Sequence, residues 1–233
     1  MLGLDDWIAG LSEGASVAVV LLVAALLGLR HATDPDHIAA MTALVAAGRE
    51  RAGRSAARLG AWWGAGHAVT LVAFGLPILL AQRYLPELAQ RGSETAVAAV
   101  IAFLGIRLLV RWRHGYFDLH PHPHEDRRHR HAVRTPAAAF GVGLVHGIGG
   151  SAGVAVLLLA AVPSRPLAVA SLLVLALFTG VSMSAVTAGF GRTLAARPVA
   201  AAASSAVPAL GVASLVFALW YGAAAWSLTP YPF

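Results

Sequence analysis

Residues 31–37 of the chain read His31-Ala32-Thr33-Asp34-Pro35-Asp36-His37, and they follow an apolar run from Ala15 to Leu29 that only Ser16 interrupts. Membrane hydrocarbon tolerates an unpaired carboxylate poorly, at about 2.5–3.5 kcal/mol each even on lenient insertion scales. A chain that keeps two carboxylates and two imidazoles beside such a run is expected to use them. Together the four side chains offer nitrogen and oxygen ligands to a divalent transition metal.

The composition of the chain predicts an integral membrane protein. Hydrophobic residues make up 58% and charged residues 12%, with a mean hydropathy of +0.71; a soluble domain is about half apolar and a quarter charged. Apolar segments of roughly twenty residues recur, which favours helices over a barrel. We therefore predict an all-α, polytopic helix bundle that forms a single domain over residues 1–233, because the polar residues are too sparse for a second, soluble domain.

Two missing residue types exclude several chemistries. The chain has no Cys and no Lys, so it offers no thiolate metal site, no redox centre, no P-loop lysine and no Schiff-base lysine. Any nucleotide-driven step would need a separate ATPase subunit. The net charge of +6 comes from arginines that cluster between the apolar segments. Orienting the helices in membrane lipid explains this charge better than binding nucleic acid, which is not expected as a partner.

The hydropathy pattern predicts six or seven spans and an orientation. The first two are crowded, since residues 14–48 leave barely about seventeen residues for each, and one of them is alternatively a half-helix or a re-entrant segment. Arginine-rich loops follow the second, fourth and sixth spans, so the positive-inside rule places these loops in the cytoplasm and the N-terminus inside. We expect a multi-pass protein of the cytoplasmic (inner) membrane. The predicted spans lie near residues 8–27, 28–48, 59–80, 95–112, 137–162, 167–190 and 199–226.

A weak internal repeat links the two halves of the chain. Leu27-Gly28-Leu29-Arg30-His31 resembles Val142-Gly143-Leu144-Val145-His146, and Ala68-Val69-Thr70 recurs as Ala185-Val186-Thr187. Two three-helix units of inverted topology, with the substrate site at their interface, are a frequent plan of secondary transporters. Chance similarity is the alternative, because such matches arise easily in a composition rich in Ala, Val, Leu and Gly.

Pro35 predicts that the helix breaks at the charged stretch. Proline has no N–H to donate and biases the preceding residue away from helical geometry. Asp34 is then the N-cap, Pro35 the first helical residue, and Asp36 and His37 lie in the first turn. The alternative is that both carboxylates only cap the helix and complement its dipole, which leaves the histidines unexplained. Whether Asp34 binds metal or only caps stays open, and Asp36 is the carboxylate we favour.

Two further histidines complete the candidate site. His67 lies inside an apolar segment, where an isolated histidine would more often serve as polar glue between helices; beside the other histidines we interpret it as a ligand or pathway residue. His146 stands in a glycine-rich stretch and corresponds to His31 in the repeat. The candidate metal ligands are His31, Asp34, Asp36, His37, His67 and His146. As anchors at the membrane interface we predict Trp62, Trp63, Trp220 and Trp226.

A His/Arg-rich cytoplasmic loop is predicted over residues 113–134. It contains six of the ten histidines, most densely in His120-Pro121-His122-Pro123-His124. Histidine-rich tracts bind metal loosely, so a cytoplasmic metal sink or sensor is one interpretation. A disordered basic linker that touches anionic lipid is the other.

The charged stretch also resembles a known signature. The residues from Arg30 to Ile38 are similar to the motif of the nickel/cobalt transporter (NiCoT) family, a His, four residues, Asp and His used in metal recognition, and Gly66-His67 resembles its second motif. The family's acidic fifth-span motif is missing. In its place the stretch from Gly143 to Gly153, together with Pro35, looks more like the shorter urease-accessory-type branch, which is associated with nickel.

This resemblance implies a secondary transporter, not an enzyme, that takes up Ni²⁺ as its substrate and needs no cofactor. Co²⁺ is the alternative substrate, and nickel-enzyme maturation proteins are candidate partners. Imidazole and carboxylate ligands suit nickel, cobalt or zinc, and the lack of Cys argues against Cu(I). Two transport alternatives stay open, an efflux permease and the membrane component of an ATP-driven importer. An intramembrane metalloenzyme is disfavoured because the sequence lacks the His-Glu-x-x-His motif of metalloproteases.

Overall fold

The computed structural model describes residues 16–46, 54–81, 86–114, 135–147, 162 and 164–230. Within these residues the chain forms seven helices and no strand, and several helices are long and apolar enough to span a membrane. The predicted all-helical membrane class is therefore confirmed. The helices are α1 (Val17–His31), α2 (Pro35–Ala46), α3 (Arg54–Ala81), α4 (Glu87–Arg113), α5 (Pro136–His146), α6 (Arg165–Ala195) and α7 (Arg197–Ala225).

Helices α1 and α2 meet at a break with a bend of 50°, the geometry of one broken span or of a re-entrant segment. They have 15 and 12 residues, so they are about 22 and 18 Å long, and each is shorter than the roughly 30 Å of membrane hydrocarbon. Taken together along the bend they advance about 34 Å, which is enough to cross once. The predicted boundary between spans 8–27 and 28–48 is wrong, since α1 runs through it to His31, and the alternative of a half-helix or re-entrant segment fits this geometry. Residues 8–15 lie outside the described part.

Pro35 causes the break where the sequence predicted it. Because Pro35 cannot donate a hydrogen bond, the chain turns before it: the Thr33 amide donates to the Arg30 carbonyl at 2.8 Å, and the Asp34 amide to the His31 carbonyl at 3.2 Å. Helix α2 then starts at Pro35. Treating α1 and α2 as one span changes the orientation that the positive-inside rule gives: the start of α1 moves outside, while the arginine-rich start of α3 stays cytoplasmic.

The described residues contain five candidate spans, when α1 and α2 count as one. Helix α5, with 11 residues, is shorter than a span, and most of the remainder of the predicted span 137–162 lies outside the described residues. Helix α2 is packed into the interior, since Ala40, Met41, Ala43 and Leu44 join an apolar cluster with residues of α4 and α7. In the break before α2, Ala32 and Asp34 are buried while Thr33 is exposed.

Helix packing follows the predicted repeat. Helix α1 packs on α6 as α5 packs on α3, while α3 crosses α6 and α4 packs on α7. Both equivalent contacts depend on a glycine: a Cβ added at Gly28 would lie 2.5 Å from the Leu175 carbonyl oxygen, and one at Gly143 would lie 2.0 Å from the Trp63 carbonyl oxygen. Only glycine lets the helix backbones approach this closely. The two halves thus repeat the same close crossing.

Hydrogen bonds between helices fix the register of this repeat. The Thr70 hydroxyl donates to the Leu144 carbonyl at 2.9 Å, and the Ser182 hydroxyl donates to the Leu29 carbonyl at 2.8 Å. Leu29 and Leu144 occupy equivalent positions, so Thr70 is equivalent to Ser182. The predicted match of Thr70 with Thr187 is wrong in this register, because Leu29, the equivalent of Leu144, accepts from Ser182; bonds within the same helix do not distinguish the two threonines, since both make one. Similar apolar residues on either side allowed the sequences to be aligned out of register.

Candidate metal centre

Four helix segments bring all six predicted site residues together. Helix α1 ends at His31, α3 carries His67, and α5 ends at His146. Asp34 lies in the break, and Asp36 and His37 lie in the first turn of α2. Each of these six residues is exposed by 2% or less. A histidine-rich cluster therefore lies buried among the helices, at the break between α1 and α2.

Possible ligand atoms fall into two groups of three. One atom each from His31, His37 and His67 lies within 4.8 Å of the other two, and the same holds for Asp36, His37 and His146. His37 belongs to both groups, with its ring centroid 4.6 Å from that of His31 and 4.4 Å from that of His146. His37 is therefore the centre of the cluster.

Two of the pair distances already match those of ligands on one ion. The Nε2 atoms of His31 and His67 are 3.0 Å apart, and His146 Nε2 is 3.2 Å from Asp36 Oδ2. Ligands about 2.1 Å from a metal that subtend roughly 90–110° are about 3.0–3.4 Å apart. Each pair can therefore hold a first-row divalent ion without any movement of the backbone.

Several ring nitrogens in the cluster have no partner within the part of the chain that is described. These are His37 Nε2, His67 Nδ1 and His146 Nδ1. A buried polar atom without a hydrogen bond costs about 1–3 kcal/mol, so such atoms are rare and need an explanation. A bound cation would use nitrogen lone pairs of this kind.

Asp34 and Asp36 have different surroundings. Asp34 precedes Pro35 in the N-cap position, and its carboxylate contacts Arg30 NH1 at 3.0 Å and His31 Nδ1 at 3.2 Å. Asp34 therefore holds the outer nitrogen of His31, which directs Nε2 toward His67. Asp36 instead contacts His37 Nδ1 at 3.0 Å and His146, inside the second ligand group. This geometry agrees with the preference for Asp36 as ligand and gives Asp34 an orienting role.

Comparison with characterised proteins finds a relative of this chain. Over 147 residues the chain is 27% identical to the urease accessory protein UreH of Bacillus sp. (strain TB-90). The chain is related to UreH. The matched region covers 61% of the chain and 63% of UreH, so the chain spans less than two thirds of the relative's length. No family model and no solved structure matches the chain. The predicted relationship to the urease-accessory branch is confirmed.

Trp63 is a site residue that the sequence analysis assigned wrongly. It was predicted to be an interface anchor, yet it is 1% exposed, and its ring centroid lies 5.8 Å from that of His37 and 5.6 Å from that of His146. It covers one side of the cluster in this UreH relative. The signal was its spacing, since Trp63 precedes His67 by four residues and so shares its face of α3. The exposed Trp62, Trp220 and Trp226 agree with the anchor prediction.

Thr70 and Ser182 were given no role in the sequence analysis, because hydroxyls in membrane helices usually bond their own backbone. The structure shows that both donate to a neighbouring helix, α5 and α1 respectively. They hold the two helices that end in His31 and His146.

The predicted His/Arg-rich loop lies almost entirely outside the described residues, which include only Arg113 and His114 of it, so its role as a metal sink stays a prediction.

Proposed function

We propose that this UreH relative is a secondary transporter that carries Ni²⁺ into the cell and binds the ion with the histidine cluster and Asp36. One observation carries the proposal. Four histidines and a carboxylate from four helix segments meet, almost completely buried, at the break of a membrane span. Ionisable residues inside a membrane bundle are expensive and mark pathways for ions or substrates.

The ligand chemistry supports a first-row divalent ion. Imidazole nitrogen together with carboxylate oxygen suits nickel, cobalt or zinc, and the chain has no thiolate that would favour Cu(I). The Asp36 carboxylate offsets part of the charge of a desolvated dication. Nickel is the preferred cargo because the motif resembles a branch associated with nickel, and Co²⁺, its neighbour in ligand preference, is the second cargo.

Helix ends reinforce the preference for a cation. Helices α1 and α5 both end at a histidine of the cluster, so the partial negative charge of two helix C-termini is directed at the site, against the partial positive charge of one N-terminus, that of α2. The membrane potential supplies the driving force: moving a divalent ion inward gains about 4.6 kcal/mol for every 100 mV. Alternating access requires two units that move relative to each other; we take these to be α1 with α6 and α5 with α3, which contact each other where α3 crosses α6.

Reconstitution of the purified chain tests the proposal. Proteoliposomes that contain a nickel-sensitive dye and carry an inside-negative potential should fill with Ni²⁺, with no ATPase present. Asp36→Asn and His37→Gln should slow uptake by more than about tenfold, since each removes a ligand. Glu87→Gln removes one charge by the same isosteric change at an exposed surface residue paired with Arg91, and should leave the rate unchanged.

Two results would contradict the proposal in different ways. Equal uptake by the wild type and His37→Gln would refute the site. A wild type that moves no metal with a gradient in either direction would refute transport by this chain alone, and would favour a component of an ATP-driven importer.

A further inference from the structure

We propose that the ion occupies two positions in succession, which share His37 and are otherwise formed by different residues. The first, the His67 position, consists of His31, His37 and His67. The second, the Asp36 position, consists of Asp36, His37 and His146. The inference rests on the proposed transport function and adds a path within the site: His37 keeps hold of the ion while the remaining ligands are exchanged.

The spread of the ligands argues against one five-ligand site in this conformation. Two ligands on one ion can be at most about 4.2 Å apart, when they lie on opposite sides of it. His67 and His146, the residues that distinguish the two groups, never occur together in a set of three described residues whose ligand atoms lie within 4.8 Å of one another, a spacing wider than one ion allows. Each of the two groups does lie within 4.8 Å, so small side-chain movements would bring its three ligand atoms onto one ion. A three-ligand position leaves part of the coordination shell to water, so an ion is held but can also leave, as conduction requires.

His37 is placed to serve both positions. Its ring centroid is 5.0 Å from His67 and 4.4 Å from His146. Its Nδ1 contacts Asp36, whereas its Nε2 has no partner among the described residues. Two dications that share one imidazole would repel each other strongly at this separation in a buried site. The positions are therefore occupied alternately, by one ion.

The internal repeat explains why there are two positions. His31 and His146 end equivalent helices, and each contributes to a different group. The repeat does not supply an equivalent of His67. Gly143 contacts the backbone of His67, and its counterpart Gly28 contacts the backbone of Thr179. A threonine therefore stands in the second unit where the first has a histidine. The first position is therefore formed by imidazoles alone, while the second is completed by the Asp36 carboxylate. The two positions therefore differ in charge, and the ion binds them with different affinities.

Nickel binding and transport by the full-length chain test this inference. All variants are made in a parent protein whose six loop histidines are replaced by asparagine, so that only the membrane histidines remain. Equilibrium dialysis with radioactive nickel gives the number of ions bound and the Kd, and proteoliposomes give the rate. The replaced loop residues are His114, His120, His122, His124, His129 and His131.

We expect the parent protein to bind one ion. His67→Gln and His146→Gln each remove one position and leave the other, so at least one of the two variants should raise the Kd by no more than about twofold. His37→Gln damages both and should raise the Kd by more than about tenfold. Transport should be lost in all three variants. Size-exclusion elution and thermal unfolding identify a misfolded variant, which is replaced by the corresponding alanine variant.

Three results would overturn the inference while the parent protein still transports nickel. The first is a loss of affinity in His67→Gln and His146→Gln as large as that in His37→Gln, which indicates one common site. The second is a parental transport rate in either variant. The third is a parent protein that binds two ions at once. A parent protein that takes up no nickel refutes the proposed function itself and is distinguished from these results by that measurement.

Discussion

Replacing Gly143 by alanine tests whether the close crossing of α3 and α5 sets the geometry of the site. The added Cβ would lie 2.0 Å from the Trp63 carbonyl oxygen and 2.9 Å from the His67 amide nitrogen. Ordinary contact begins at 3.4 Å, so α5 must move away from Trp63 by 1.4 Å, the difference between the two distances. Overpacking of this kind lowers the free energy of unfolding by about 1–3 kcal/mol. The better helix propensity of alanine offsets up to about 1 kcal/mol of this loss. The shift also carries His146 farther than the roughly 0.5 Å that a ligand set tolerates.

The matched control is Gly141→Ala, on the same helix, where an added Cβ meets nothing within 4 Å. Thermal unfolding followed by tryptophan fluorescence should show a lower Tm for Gly143→Ala, by about 2–4 °C for each kcal/mol lost in a chain of this size. Its nickel affinity should fall by about tenfold or more, whereas Gly141→Ala should lower neither value. If both variants unfold and bind nickel alike, the close crossing does not set the site.

Three further variants probe single contacts. Asp34→Asn should weaken nickel binding by about 10–100-fold in a titration, because the residue that orients His31 is lost; an unchanged Kd would refute the orienting role. Thr70→Val should lower the free energy of unfolding by about 0.6–2 kcal/mol, since it removes a hydrogen bond to the α5 backbone, and an unchanged Tm would count against that bond. Nickel should quench intrinsic fluorescence less in Trp63→Phe than in Trp220→Phe, and equal quenching would place the ion elsewhere.

The sequence was sufficient to single out the residues that the structure brings together, because they carry strong local signals. Charged residues beside an apolar run are costly in a membrane, and Pro35 removes a hydrogen bond wherever it stands. Both signals act over a few residues and need no knowledge of the partner helices. His67 and His146 were found because a polar residue within an apolar segment is conspicuous in the same way.

Other features depend on contacts that the sequence does not display. Hydropathy continues unchanged through residues 27 and 28, so it could not show that α1 runs to His31. Trp62 and Trp63 have the same chemistry, and only the packing of α3 turns one to the surface and the other to the site. The register of the repeat depended on the bonds of Thr70 and Ser182, since small apolar residues match one another in several alignments.

X-ray absorption at the nickel edge of the purified protein, with its loop histidines replaced by asparagine, tests the central claim most directly. The cluster predicts two or three imidazole ligands on the bound ion, and His37→Gln should change this spectrum. A spectrum with only oxygen ligands, or one that is the same in the wild-type cluster and His37→Gln, would contradict the claim that the ion binds at the break between α1 and α2.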